Sequence, residues 1–168
     1  MKKIFQSLFI FFTFAAMLSA CCGSGKKADK TTIAVIPMGT THEYWKAIHA
    51  GAVKASRELG VEIVWKGPLK EDDVDEQIQI METFIAANVS AFVLAPLDKR
   101  ALERPVREAK NKGIPTIIID SELRGDAHAS FISTNNYKGG VLGAEYIGKL
   151  MNGKGKLILV RVQEGSAS

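Results

Sequence analysis

Cysteine is scarce in this chain. Its 168 residues include two cysteines, Cys21 and Cys22, which are adjacent. Adjacent cysteines do not link distant segments, so the sequence excludes the disulfide framework that stabilises many small secreted domains. The fold must therefore depend on an apolar core, and the roughly 135 residues that follow the N-terminal region are enough to form one.

The chain also lacks a large excess of charge of one sign. The formal net charge is +4, and two of the positive charges are Lys2 and Lys3 at the N-terminus. The remaining positive charge is weak and dispersed, whereas nucleic-acid-binding domains concentrate Lys and Arg on one face. We therefore expect no nucleic acid among the partners.

The chain lacks the local motifs of catalysis and cofactor binding. There is no G-x-S-x-G nucleophile elbow. The glycine-rich run 139–143 lies inside a predicted helix, where tight packing explains it better than a phosphate or dinucleotide loop. His42 and His49 would lie about 10 Å apart on a helix, too far to share one metal ion. We therefore expect no catalytic residue, no metal site, no cofactor and no enzymatic activity.

The N-terminus carries a long apolar run. Two lysines precede it, and it ends in Leu18-Ser19-Ala20-Cys21. This pattern is typical of a secretory signal, and the tetrapeptide resembles the lipobox of bacterial lipoproteins. That resemblance implies a signal peptide over 1–20, an acylated Cys21 that anchors the protein to a lipid bilayer, and a flexible tether over 21–30. The location would be the periplasm or the cell surface. An ordinary cleaved signal peptide and an uncleaved anchor are the alternatives.

Apolar strands alternate with amphipathic helices along the rest of the chain. Helices are expected at 43–59, between 74 and 88, after Arg104 to about 112, and at 137–151. Strands are expected at 33–36, 61–65, 91–94, 116–119, 131–132 and 157–162. This alternation predicts an α/β fold with a doubly wound parallel sheet. Gly60 and Asn88 are expected to end the first two helices in a conformation with positive φ.

Ligands of such sheets bind outside the carboxyl ends of the strands. Tyr44 and Trp45 follow the first strand, and two aromatic faces there would stack on a sugar ring. Trp45 also fits the buried stripe of its helix, which is the alternative for that residue. Asp120 follows a run of three isoleucines and would accept hydrogen bonds from ligand hydroxyls, unless it caps a helix or pairs with an arginine. Asn135 and Asn136 would serve as ligand amides or, in one case, as a helix cap.

Four segments in this order resemble type I periplasmic sugar-binding proteins of ABC importers, the ribose-binding-like group. They are Thr32–Pro37 with Tyr44-Trp45-Lys46, Val89–Pro96, Gly113–Ser121, and Thr134–Gly140. The resemblance implies two lobes that close on a solute by a hinge. It also implies a set of ligand-binding residues, which is His42, Tyr44, Trp45, Asp120, Ser121, Thr134 and Asn135. Ser121 stands where some members have a positively charged contact, and His42 is equally compatible with an exposed loop residue.

The same resemblance implies a division into lobes and a set of partners. Residues 31–134 would form lobe one, and residues 135–168 the incomplete start of lobe two, so this chain alone is expected to bind sugar poorly. The partners would be a monosaccharide, either a pentose or a hexose, and the membrane subunits of an ABC importer. Two alternatives stay open. One is a ligand-sensing domain of a membrane signalling receptor, and the other is an exported sugar enzyme with Asp120 as acid or base.

Overall fold

The computed structural model describes residues 30–160. This part of the chain contains five strands and four helices, which alternate except that the fifth strand follows the fourth without a helix between them. The strands are β1 (Thr32–Ile36), β2 (Glu62–Trp65), β3 (Ala91–Leu94), β4 (Thr116–Ile119) and β5 (Ser130–Ile132). The helices are α1 (Glu43–Leu59), α2 (Val74–Ala86), α3 (Glu103–Asn111) and α4 (Asn136–Leu150). The predicted signal peptide and the predicted acylated Cys21 lie outside the described residues.

The five strands form one parallel sheet in the order β2-β1-β3-β4-β5. The chain thus runs outward from β1 to β2, reverses, and continues from β3 to β5 on the other side. Since parallel crossovers are right-handed, this reversal places helices on both faces of the sheet. The prediction of a doubly wound α/β fold is confirmed, and the crevice for a ligand is expected between β1 and β3, where the chain connections leave in opposite directions.

The main core lies between the sheet, α2 and α3. Successive side chains of a strand point to opposite faces, so alternate residues of the central strands enter this core. Its largest fully buried members include Ile36, Phe92, Leu94 and Ile118 from the strands, Met81 and Ile85 from α2, and Val106 from α3. Full burial of each such side chain contributes roughly 1.5–3 kcal/mol. This layer therefore supplies much of the energy that holds the two helices on the sheet.

A second, smaller core lies on the side of α1. Trp45 is buried there with Met38, Ala95 and Leu97, and partly buried Trp65 packs against them. Three of these residues belong to the segments that follow β1 and β3. The second core therefore anchors the loops at the carboxyl edge of the sheet to the first turn of α1.

The predicted helix ends are confirmed. Gly60 ends α1 with φ of 66°, and Asn88 follows α2 with φ of 55°. Asparagine tolerates this left-handed conformation better than other residues that carry a Cβ. The third helix begins slightly earlier than predicted, since α3 starts at Glu103. Pro105 then lies in the first turn, where a missing backbone N–H removes no hydrogen bond within the helix.

The C-terminal part of the described chain is exposed. No residue of α4 is buried, and the predicted strand over 157–162 is wrong for residues 157–160, which form no strand. A strand needs a hydrogen-bonding neighbour, and these four apolar residues are 64–91% exposed. Hydrophobic composition alone therefore does not make them a strand. Across residues 30–160, no helix has both the length and the apolar character needed to cross a membrane.

Candidate functional site

The structure brings Tyr44 and Asp120 together at the carboxyl edge of the sheet. Tyr44 lies in the first turn of α1, after β1, and Asp120 directly follows β4. The hydroxyl of Tyr44 donates a hydrogen bond of 3.0 Å to Oδ1 of Asp120. Because β3 lies between β1 and β4 in the sheet, this hydrogen bond joins segments that follow two strands that are not neighbours. The pair therefore lies at the edge of the sheet where ligands of this fold class bind.

Asp120 is held in an unusual backbone conformation. Its φ is 64°, a value that few residues other than glycine adopt. Two contacts hold it there: its backbone N–H donates to the carbonyl oxygen of Ile132, and the hydroxyl of Ser121 donates to Oδ2 over 3.2 Å. Strained backbone of this kind is found preferentially at ligand sites.

Among residues 30–160, the carboxylate of Asp120 forms no ion pair. The ion pairs formed among residues 30–160 join other side chains, mostly along α1 and α3. Its hydrogen-bond partners are instead two neutral hydroxyls, those of Tyr44 and Ser121. Neutral hydroxyls are also what a sugar offers, so the carboxylate already makes the type of contact that a carbohydrate would make.

The pKa of Tyr44 is raised above the ordinary tyrosine value. Partial burial of the ring is the largest cause, followed by the hydrogen bond to Asp120 and the negative charge of that carboxylate. All three favour the neutral phenol. The hydroxyl of Tyr44 is therefore protonated at neutral pH and acts as the donor in this pair.

The adjacent aromatic residues Tyr44 and Trp45 have different roles. Tyr44 is 45% exposed, whereas Trp45 is 3% exposed and belongs to the second core. Their rings meet edge to face with centroids 4.9 Å apart, and Nε1 of Trp45 donates to Oε1 of Glu71 over 2.8 Å. In this conformation Trp45 is a core residue that supports Tyr44, which was the alternative raised by its position in the helical stripe. Tyr44 is the ring that remains open to a ligand.

The other predicted site residues make local contacts. His42 is exposed and caps α1, since its Nδ1 accepts the N–H of Tyr44 over 3.2 Å. Ser121 is 2% exposed and supports Asp120 instead of presenting an open hydroxyl. Asn135 caps α4 by accepting the N–H of Lys138, as expected for one of the two asparagines. Thr134 and Asn135 are exposed and hydrogen-bond within their own turn. The structure therefore joins Tyr44, Asp120 and Ser121, but it does not bring Thr134 and Asn135 into their hydrogen-bond network.

Sequence reasoning missed Gln77, a fully buried residue of α2. Its Nε2 donates to the carbonyl oxygens of Pro37 and Ala95, over 3.0 and 2.8 Å, and its Oε1 accepts the N–H of Leu97 over 2.9 Å. One side chain thus links the loop after β1 to the loop after β3. The sequence signal that could have identified Gln77 is a neutral polar residue within the apolar stripe of an amphipathic helix. Such a residue must find buried partners.

The loops after β1 and β2 are also joined. Thr40 and Thr41 donate to the carbonyl oxygens of Pro68 and Leu69. Gly67 lies so close to Pro37 that a Cβ at this position would approach Cγ of Pro37 to 2.7 Å. This close approach supports the loop that carries α1 and therefore Tyr44.

Replacing Gly67 with alanine is expected to destabilise the protein by about 1–3 kcal/mol, because the added methyl group has no room. Thermal unfolding followed by circular dichroism measures this. Gly51→Ala is the matched control, since a Cβ there meets no atom within 4 Å. Gly51 lies inside α1, so this control is expected to stabilise the protein by roughly 0.5–1 kcal/mol. A Gly67→Ala protein as stable as the wild type would show that the two loops are not tightly packed.

A separate cavity of about 440 Å³ lies at the same edge of the sheet. It is lined by Lys99, Arg100, Glu122, Leu123, Arg124 and Gly125. Neither Tyr44 nor Asp120 lines it. Within residues 30–160, no group of His, Cys, Asp and Glu side chains is arranged to hold a metal ion.

Comparison with known proteins identifies the family. The family described as "Periplasmic binding protein domain" matches residues 33–168. A D-apiose import binding protein from Paraburkholderia graminis is 30% identical over 145 residues, which cover 86% of this chain and 46% of that protein. A D-ribose/D-allose-binding protein from Pseudomonas aeruginosa is 29% identical over 150 residues, which cover 80% of this chain and 47% of that protein. The chain spans about half the length of the curated relatives it matches.

Solved structures agree with this assignment. A carbohydrate transporter solute binding protein from Agrobacterium radiobacter, in complex with D-arabinose, is 34% identical with a TM-score of 0.78, covering 83% of this chain and 49% of that one. An ABC transporter solute binding protein from Agrobacterium vitis with bound D-fucose is 30% identical with a TM-score of 0.78, covering 81% and 48%. These four proteins are named as binding proteins and not as enzymes, in agreement with the expectation that this chain is not an enzyme. The chain therefore belongs to the periplasmic binding protein family and has its type I α/β fold.

Proposed function

We propose that this chain is part of a solute-binding protein that captures a monosaccharide, a pentose or a hexose, for an ABC importer. The observation that carries the proposal is the pairing of Tyr44 with Asp120 at the carboxyl edge of the sheet. An exposed aromatic ring next to a carboxylate offers the two contacts that a sugar ring needs, an apolar face for its C–H groups and an acceptor for its hydroxyls. The named ligands of the relatives and solved structures, which are pentoses and hexoses, support this class of ligand.

Residues 31–134 would then be lobe one, and residues from 135 onward the start of lobe two. Asp120 is the main acceptor of sugar hydroxyls in this proposal, and Tyr44 stacks on the ring. Ser121 orients the carboxylate, and Trp45 supports Tyr44 from the core. His42, Thr134 and Asn135 are peripheral contacts at the edge of the cleft in this proposal, and the cleft closes when the two lobes move together.

The test is direct binding of a panel of monosaccharides to the full-length protein. Isothermal titration calorimetry with D-ribose, D-allose, D-apiose, D-arabinose and D-fucose is expected to give saturable, stoichiometric binding of at least one sugar. A disaccharide serves as the control for non-specific heat. If a folded full-length protein binds none of a broad set of monosaccharides, the proposed function is wrong.

A lipid anchor at Cys21 belongs to the same proposal, together with a position in the periplasm or at the cell surface. The support is the sequence of the N-terminus, where Leu18-Ser19-Ala20-Cys21 ends an apolar run. Cells that express the protein are expected to incorporate an alkyne-labelled fatty acid into it. Cys21→Ser should abolish the label, whereas Cys22→Ser should keep it. Equal labelling of the two variants would remove Cys21 from this role.

A further inference from the structure

We propose that the hydroxyl of Tyr44 is an internal competitor for the sugar. It occupies Asp120 in the ligand-free protein and must leave when a sugar hydroxyl takes its place. Tyr44 therefore lowers the affinity for the sugar through its hydroxyl while raising it through its ring. This inference rests on the proposed function and describes how the same site is regulated.

The two oxygens of Asp120 are not equivalent. Oδ2 accepts from Ser121, a residue that is 2% exposed, so this oxygen is engaged on the buried side. Oδ1 accepts from Tyr44, which is 45% exposed. A ligand arriving from solvent reaches the carboxylate on the side that the phenol occupies. The hydroxyl of Tyr44 thus makes the contact that a sugar hydroxyl would make.

The backbone of Asp120 is held in place, and the hydroxyl of Ser121 holds one oxygen of its carboxylate. Its positive φ and the hydrogen bond from its N–H to the carbonyl oxygen of Ile132 fix the residue at the end of β4. The phenol is the more exposed partner, since Tyr44 is exposed whereas Asp120 is only partly so. Its ring meets the ring of Trp45 edge to face. Binding is therefore expected to displace Tyr44 and leave Asp120 in place.

Tyr44→Phe separates the two effects, because it removes the hydroxyl and keeps the ring. In the full-length protein, calorimetry with the sugar that binds best is expected to show affinity about three- to tenfold higher than in the wild type. Tyr44→Ala removes the ring as well and is expected to bind more weakly than the wild type. A Tyr44→Phe protein with unchanged or weaker affinity overturns the inference.

A second measurement does not depend on any variant's stability. In protein labelled with ¹³C at tyrosine Cζ, the Tyr44 resonance reports whether its hydroxyl is bonded to a carboxylate. Saturation with sugar is expected to shift this resonance toward that of a free phenol, and an unmoved resonance contradicts displacement. Wild-type protein that binds no sugar refutes the proposed function and this inference together. Sugar binding without either effect refutes the inference alone.

Discussion

Replacing Gln77 with methionine is expected to lower the free energy of unfolding by about 3 kcal/mol or more. Methionine has a similar size and shape, so the change removes hydrogen bonds and leaves little cavity. Three backbone groups then lose their partner: the carbonyl oxygens of Pro37 and Ala95, and the N–H of Leu97. All three residues are buried, and each unsatisfied buried group costs roughly 1–3 kcal/mol. Urea unfolding followed by circular dichroism measures the effect.

Gln79→Met is the matched control for this prediction. Gln79 is an exposed residue of the same helix, so its replacement is expected to change stability by no more than about 0.5 kcal/mol. If the Gln77→Met protein unfolds within about 1 kcal/mol of the wild type, the hydrogen bonds of Gln77 do not carry the expected energy. In that case other contacts must hold together the loops after β1 and β3.

Replacing Asp120 with asparagine is expected to weaken sugar binding at least tenfold, which corresponds to ~1.4 kcal/mol. Asparagine keeps the size of the side chain and tolerates the positive φ of this position better than alanine does. The variant therefore removes the negative charge and one acceptor oxygen with little backbone strain. A hydrogen bond to a charged acceptor is stronger than one to an amide, and this difference is the source of the expected loss.

Calorimetry on the full-length protein measures this loss, with Glu122→Gln as the matched control. Glu122 is an exposed carboxylate two residues away, so its replacement makes the same change of charge near the site. Binding by the Glu122→Gln protein is expected to match the wild type. An Asp120→Asn protein with an unchanged dissociation constant would remove Asp120 from the site.

The order of the elements was predictable because it depends on local patterns. The apolar stripe of α1, the Gly60 that ends it and the Asn88 that follows α2 are local signals. Each depends on a single helix or on the end of that helix. The spacing of these signals along the sequence predicts that strands alternate with helices. Such alternation is typical of a parallel sheet. The same reasoning failed for residues 157–160, because a strand is stable only beside a hydrogen-bonding neighbour, which periodicity does not reveal.

The sequence by itself determined the parallel α/β class and the edge of the sheet at which Tyr44 and Asp120 lie. Only the tertiary structure decided that the two side chains touch, that Trp45 turns into the core, and that Gln77 links two loops. The first of these contacts joins residues 76 positions apart. Such contacts depend on strand order and on how each side chain packs. The periodicity of apolar residues describes one helix or strand at a time. It therefore carries no information about strand order or about the packing of side chains between elements.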